Sequence, residues 1–327
     1  MTFNFTGLPT ELALEIIRLA ATPNYEERSS SRRPYYATAL SLASVSYAVR
    51  QATMRHLLHT VVLSTHRDHI AFNQTLYLQS RFAFADSRLA LDYPKLVRKF
   101  WSTQCWAPVV EDRPEARLNY AAFYGIMRNA ECIGLHGRSM HLLHEALSSN
   151  GSQPTQVWSC RRVIIIGPWR WKPLTSTPEG LAFLRQITHL AACLSIDKSF
   201  TSQIIPPGVQ EIPFALMPNL THFAYPLLRN RTQEEDSFCT STEMIAYVVP
   251  PQNSVSAQPL IRQWLCSPDA LAHGFAVPFR EMLQSSDALE DLWWERVFLQ
   301  GDVDSAFVKA DRMKSLRGHE DDMVIDR

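Results

Sequence analysis

Glycine is scarce, with 11 residues in a chain of 327, where ordinary composition would supply about 7%. Phosphate-cradling loops need glycines in clusters, because only a residue without Cβ lets the backbone close on a ligand. Neither the P-loop pattern nor G-x-G-x-x-G occurs, and G-x-S-x-G, the turn that raises a nucleophilic serine, is missing as well. An excess of either charge is also lacking. Lys and Arg total 32, as do Asp and Glu, which argues against a strongly cationic partner of nucleic acid or of a membrane surface. No uncharged apolar run reaches the roughly 18 residues of a membrane span. The opening stretch has no basic region and carries Glu11 and Glu15 within its apolar run, so it does not read as a signal peptide. A soluble protein without membrane contact is expected.

Close cysteine pairs are absent too. Cys105, Cys132, Cys160, Cys193, Cys239 and Cys266 are scattered and form no C-x-x-C. Disulfide frameworks belong to short secreted chains, and zinc sites need closer pairs. Six free, poorly accessible thiols are expected, in a reducing compartment: cytoplasm or nucleus.

What is present is an ordinary globular balance, 46% hydrophobic and 20% charged, enough for one large or two modest domains. The spacing of Leu12, Ile16, Leu19 and Ala20, widened by Ile17, predicts a first helix. Pro9 suits its first position, Glu11 its positive end, and Leu8 can fold back as a staple. Residues 22–36 are polar and read as a surface loop containing Arg28, Arg32 and Arg33. Leu40, Leu42, Val45, Val49, Met54, Leu57 and Leu58 then mark two short helices.

Short strand-like runs follow at intervals: Val61–Leu63, Leu96–Trp101, Cys132–Leu135, Val163–Ile166, Leu190–Ile196, Leu220–Tyr225 and Met244–Val249. Helical segments stand between them at Ile70–Gln79, Leu118–Arg128, Met140–Leu147, Glu179–Gln186 and Leu260–Leu265. Thr177 and Pro178 are suited to start the fourth. This rhythm matches an α/β solenoid, whose units stack because each has too little core alone. The alternative is a doubly wound α/β domain, which would lead us to expect a glycine-rich first crossover. Near the end, Asp287 and Glu290 have capping-box spacing. From 309 to 327 charge dominates, and fraying is expected at the very end.

Candidate chemistry is sparse. His66 and His69, and His141 and His144 with His136 nearby, have i,i+3 spacing, but no H-E-x-x-H accompanies them. Glu290 and Asp291 are neighbours that point to different sides, unlike a glycosidase pair. Arg161-Arg162 and Trp169-Arg170-Trp171-Lys172 interleave cations with indoles, as single-strand binders do. Near strand ends, such tryptophans belong to core or rim. No metal, cofactor or nucleic-acid partner is expected.

One stretch carries a resemblance. Leu8-Pro9, Glu11-Leu12 and Glu15-Ile16-Ile17, then Leu40, Leu42, Val45-Ser46, Arg50 and Leu57-Leu58, resemble an F-box of the fungal, basidiomycete-type F-box-like variety. The loop at 22–36 is an insertion relative to the compact pattern, and Tyr47 and Ala48 stand where its third helix usually has tryptophan. The remainder is similar to the degenerate leucine-rich-repeat region that follows such segments. The best marks are Leu184-x-x-Ile187-Thr188-His189-Leu190 and its echo Met217-Pro218-Asn219-Leu220-Thr221-His222-Phe223.

The resemblance implies a fold of mixed α+β and α/β character: an F-box-like helical head at 5–63, a leucine-rich-repeat-like α/β solenoid at 64–308, and a charged tail at 309–327. It implies a non-enzymatic, substrate-recognising adaptor of a cullin-RING (SCF-type) ubiquitin ligase. Leu8, Pro9, Leu12, Ile16, Ile17, Leu40, Leu42 and Val45 would meet the ligase's small adaptor subunit. An unknown protein substrate would lie on the concave strand face, and the body's core would be separate from the head's. Two alternatives stay open: an α/β, hydrolase-like enzyme with an unrecognised site, and an interaction scaffold without a ligase role.

Overall fold

The computed structural model describes residues 7–22, 36–103, 105, 118–149, 158–167, 169–193, 207–230, 240–249, 275–278, 297–299 and 301–324. The expected segments at Leu260–Leu265 and Asp287–Glu290, and the Arg28–Arg33 cluster, lie outside them.

Three helices open the chain: α1 Thr10–Ala21, α2 Ala37–Ala43 and α3 Tyr47–Leu57. Pro9 stands one position earlier than expected, as the residue before α1, and its carbonyl accepts the first helical hydrogen bond from Ala13 at 3.1 Å. Glu11 sits in the first turn, and Arg18 reaches back to Glu15 at 2.7 Å. Ser46 caps α3 by accepting from the Val49 N–H at 3.3 Å.

Eight strands then form one sheet: β1 Thr60–Leu63, β2 Lys99–Ser102, β3 Cys132–His136, β4 Arg162–Ile166, β5 His189–Cys193, β6 His222–Asn230, β7 Thr240–Val248 and β8 Phe275–Pro278. Their order across the sheet is their order in the sequence. β1 to β6 run parallel, while β7 and then β8 extend the sheet by antiparallel pairing. Parallel neighbours need long crossovers. Those are supplied by α4 His66–Phe84 and the short α5 Tyr93–Leu96, α6 Tyr120–Asn129, α7 Met140–Ser148, the short α8 Lys172–Thr175, α9 Pro178–Gln186, and α10 Pro207–Gln210. The expected strand start at Leu96 is corrected by α5: Pro94 favours a helical first turn, and extension begins only at Lys99.

Side chains settle the helix starts. Thr65 and Asp68 form a reciprocal capping box on α4, and Asn119 accepts from the Ala122 N–H at 3.1 Å on α6. Thr177 accepts from the Gly180 N–H at 3.2 Å on α9, as its position before Pro178 predicts. Each such cap satisfies an amide that the helix itself leaves unpaired.

Parallel steps begin with a recurring contact. The His59 carbonyl accepts from the Arg98 and Lys99 amides, Arg98 from Glu131 and Cys132, Arg161 from Thr188 and His189, and Thr188 from Thr221 and His222. In the Thr-His echo the hydroxyl adds a third bond. Thr188 donates to the Arg161 carbonyl at 3.2 Å, and Thr221 to the Thr188 carbonyl at 3.0 Å. The echoed threonines therefore fasten each strand's start to the one before it.

Period-two alternation splits the strands between two cores. Phe100, Ile133, Val163, Leu190, Phe223 and Tyr247 stand in register on one face. They share a buried cluster with Leu76, Phe123, Ile126, Leu142, Leu143 and Phe183 of the crossover helices. A doubly wound sheet would reverse its strand order and carry helices on both faces. Here the crossover helices pack on one face. Met54 of α3 and Leu58 just after it join the same cluster, so the head's core is not separate from the body's as expected, although Ile17, Ala21 and Ala39 are buried outside that cluster.

On the other face, Trp101, Gly134, Ile164, Ala191, Ala224 and Ala246 stand in register. This face is not open. Val297, Phe298 and Leu299, and the helix α11 Asp302–Val324, pack on it through Val303, Ala306, Phe307 and Ala310. The boundary expected at 309 for a charged tail is corrected as well: residues 309–324 continue α11, anchored at its start by those apolar residues, and the very end, 325–327, where fraying is expected, lies outside the described residues. Among the described residues no helix is long and apolar enough to cross a membrane.

Candidate interaction surfaces

α1 is apolar on two sides. Ile17, 5% exposed, and Ala21 face inward, where α1 packs on α2 and α3. At 100° per residue, Leu12, Ile16 and Leu19 lie on the opposite side, and they are 54%, 43% and 61% exposed. The helix therefore carries a second apolar stripe that the fold does not use. Leu40 of α2, Val45 after it and Tyr47 of α3 are also exposed, as is Leu14.

The residues expected to meet a partner thus divide. Pro9, Leu12, Ile16, Leu40 and Val45 are exposed, while Leu8 and Leu42 are half-buried. Ile17 is core, which corrects its placement among the contact residues. Helical rotation carries it about 100° away from Ile16. Leu14, Leu19 and Tyr47 are exposed members that the motif left out; for Leu19 the i,i+3 spacing from Ile16 was the available signal.

The second surface is the strand face under α11. Lys99, Cys132, Arg162, His189 and His222 occupy one register row at the strand starts. The His189 and His222 rings stack at 4.3 Å and 5°. Each Nδ1 lies beside the preceding threonine hydroxyl, at 2.8 Å and 2.9 Å. Burial pushes the His189 imidazole down to about 4, aided by the neighbouring His222 and Arg162. Asp304 of α11 meets Lys99 Nζ at 3.5 Å and Arg162 Nη1 at 3.2 Å, and Asp311 Oδ1 lies 3.0 Å from His222 Nε2. Arg162, read as a cation for single strands, is thereby paired within the chain. Trp169 and Trp171 stack on each other at 4.3 Å and pack against the helix-side core.

His69, His136 and His144 make their contacts within the chain. His69 is buried. Its Nδ1 is 2.7 Å from the Thr65 carbonyl and its Nε2 2.7 Å from the Ser102 hydroxyl. A carbonyl only accepts, so Nδ1 carries the proton and Nε2 accepts from Ser102. Burial pushes this imidazole down to about 4. His144 lies beside Glu145 at 3.5 Å, and His136 Nδ1 accepts from the Arg138 amide at 3.0 Å.

One Cys–His contact had no sequence signal, because 36 residues separate its members. Cys105 Sγ lies 3.5 Å from His141 Nε2. A nucleophilic cysteine needs its thiolate, and burial pushes the Cys105 thiol up to about 12. Cys132 is likewise pushed up to about 12, and Cys160 and Cys193 well above the usual thiol range. These four are free and buried; Cys239 and Cys266 lie outside the described residues. Among the described residues no group of three or more His, Cys, Asp or Glu is placed to hold a metal ion.

No family model matches the chain, and neither a curated protein nor a solved structure matches it.

Proposed function

We propose that the chain is a substrate-recognising adaptor of a cullin-RING (SCF-type) ubiquitin ligase, working in the cytoplasm or nucleus. On this reading it is non-enzymatic: an F-box-like head docks on the ligase's small adaptor subunit, and a leucine-rich-repeat-like body holds a protein substrate. The observation that carries the reading is the outward stripe Leu12, Ile16 and Leu19 on a helix whose inward side is already satisfied by Ile17 and Ala21. Exposed apolar side chains grouped at helical spacing are suited to burial on a partner. Each fully buried Leu or Ile side chain contributes roughly 1.5–3 kcal/mol, so three of them at an interface centre can dominate its affinity. The body supports the same reading in outline. Its strands follow sequence order and its crossover helices pack on one face, as in stacked repeats.

The test is direct binding of the purified full chain to a recombinant ligase adaptor subunit. Leu12→Ala, Ile16→Ala and Leu19→Ala combined should weaken binding at least tenfold, about 1.4 kcal/mol, with the circular dichroism spectrum unchanged. A wild-type chain that binds no adaptor subunit overturns the proposal and favours an interaction scaffold outside the ligase.

A further inference from the structure

α11 crosses the strand starts and meets them through three residues on one side. Asp304, Phe307 and Asp311 are spaced i, i+3, i+7, which places them on one helical face. Asp304 bridges Lys99 of β2 and Arg162 of β4. The Phe307 ring stands edge-on to His189 and His222, with centroids 5.2 and 5.6 Å away. Asp311 meets His222. Beneath the helix lie Ala191, Ala224 and Ala246, three small residues in one register row that let a helix backbone approach closely. Ser305, Val308, Lys309 and Arg312 of α11 are exposed.

We propose that this strand face is a receptor for an amphipathic helix carrying a carboxylate, an aromatic ring and a second carboxylate at i, i+3 and i+7. α11 is its resident occupant, and a protein ligand with the same pattern takes its place. The proposal rests on the reading of the body as the substrate-holding part and names the chemistry of that substrate. Charge complementarity argues for it. The row Lys99, Arg162 and His222 is cationic or proton-donating, and the occupant answers with two carboxylates. The Asp311 side chain stays largely in water, 57% exposed, and hydrates readily when its contact opens; the Asp304–Lys99 pair is part-buried on both sides, and Phe307 supplies the buried anchor.

Hydrogen exchange on the wild-type full chain is the first test. Amides of Val303–Ala310 should lose protection at lower denaturant than those of β3 to β5. If the two sets exchange together at every denaturant concentration, α11 is a fixed part of the core and the proposal is overturned. The second test uses a labelled peptide with the sequence of residues 302–324. The full-length variant Asp304→Ala, Phe307→Ala, Asp311→Ala should bind it at least tenfold more tightly than the wild type, whose face is occupied. A peptide carrying the same three substitutions should not bind. Equal binding by the folded variant and the wild type overturns the proposal; should the variant not fold, the exchange measurement decides alone. Neither readout involves the head, so failure here is distinguishable from failure of adaptor capture.

Discussion

The indole of Trp101 fills the space that a side chain on Gly134 would take. A Cβ built on Gly134 collides with the indole and comes within 3.0 Å of Phe298 Cδ2. Trp101 and Gly134 are register partners on neighbouring parallel strands, and Trp101 packs on Phe298 with ring centroids 4.8 Å apart. The missing side chain on β3 is thus what seats the covering layer. Gly134→Ala should destabilise the fold by about 1–3 kcal/mol, as overpacking does. The urea midpoint reads the loss, and near-ultraviolet dichroism should show the displaced indole. An unchanged midpoint would mean that the covering layer yields freely.

Ile16 and Ile17 offer a contrast between adjacent identical side chains. Ile17 is buried against the head's other helices, and Ile16 faces solvent. Ile17→Ala should cost about 2–5 kcal/mol. Ile16→Ala should stay within about 0.5 kcal/mol of wild type yet weaken adaptor binding. Urea denaturation of both variants checks the first pair of values; similar losses would place both in the core.

His69 makes stability depend on pH. In the unfolded chain an imidazole titrates near about 6.5, whereas the folded state keeps this one neutral down to about 4. Between those values the unfolded chain binds the extra proton, so stability falls as pH drops from 6.5 towards 4 and is untouched by this group above 6.5. The full shift corresponds to roughly 3 kcal/mol. His189, shifted the same way, adds in the same direction. His69→Leu should be less stable than wild type at pH 7.5, because the buried Ser102 hydroxyl loses the acceptor it has in Nε2. It should also lose less on going to pH 5. An equal loss in both proteins would exclude His69 as a source of the slope.

Cys105, Cys132, Cys160 and Cys193 are buried and protonated at neutral pH. A brief pulse of iodoacetamide on the native chain should leave all four unmodified, and the same pulse in 6 M guanidinium should label them; peptide mass spectrometry reads both. Labelling of Cys105 in the native chain would show an opening at its contact with His141.

Much of the frame was legible in the sequence because its signals are local. β-branched runs such as Val163–Ile166 specify strands through side-chain shape. Thr177-Pro178 specifies a helix start through one hydroxyl and one absent N–H. The intervals between runs allow parallel pairing, because each supplies the dozen or more residues needed to cross over. β4, β5 and β6 pair in that way. The Thr-His echo was also visible, although its role in fastening successive strand starts and stacking two imidazoles emerges only when the strands stand side by side.

What the tertiary structure alone decided is which side of each element is used. The leucine spacing of α1 announces an amphipathic helix, but Ile16 and Ile17 both satisfy that pattern. Only packing against α2 and α3 turned one inward and left the other in water. The same holds for the strand face. Ala191, Ala224 and Ala246 lie 33 and 22 residues apart, so their shared row, and the groove it leaves for α11, exist only after pairing. The charges from 309 onward read as a tail because local composition favours solvent. Phe307 ties that stretch down through its ring contacts with His189 and His222, residues far away in the sequence. Periodicity names the faces of a helix or strand, whereas burial depends on distant partners that no short window contains.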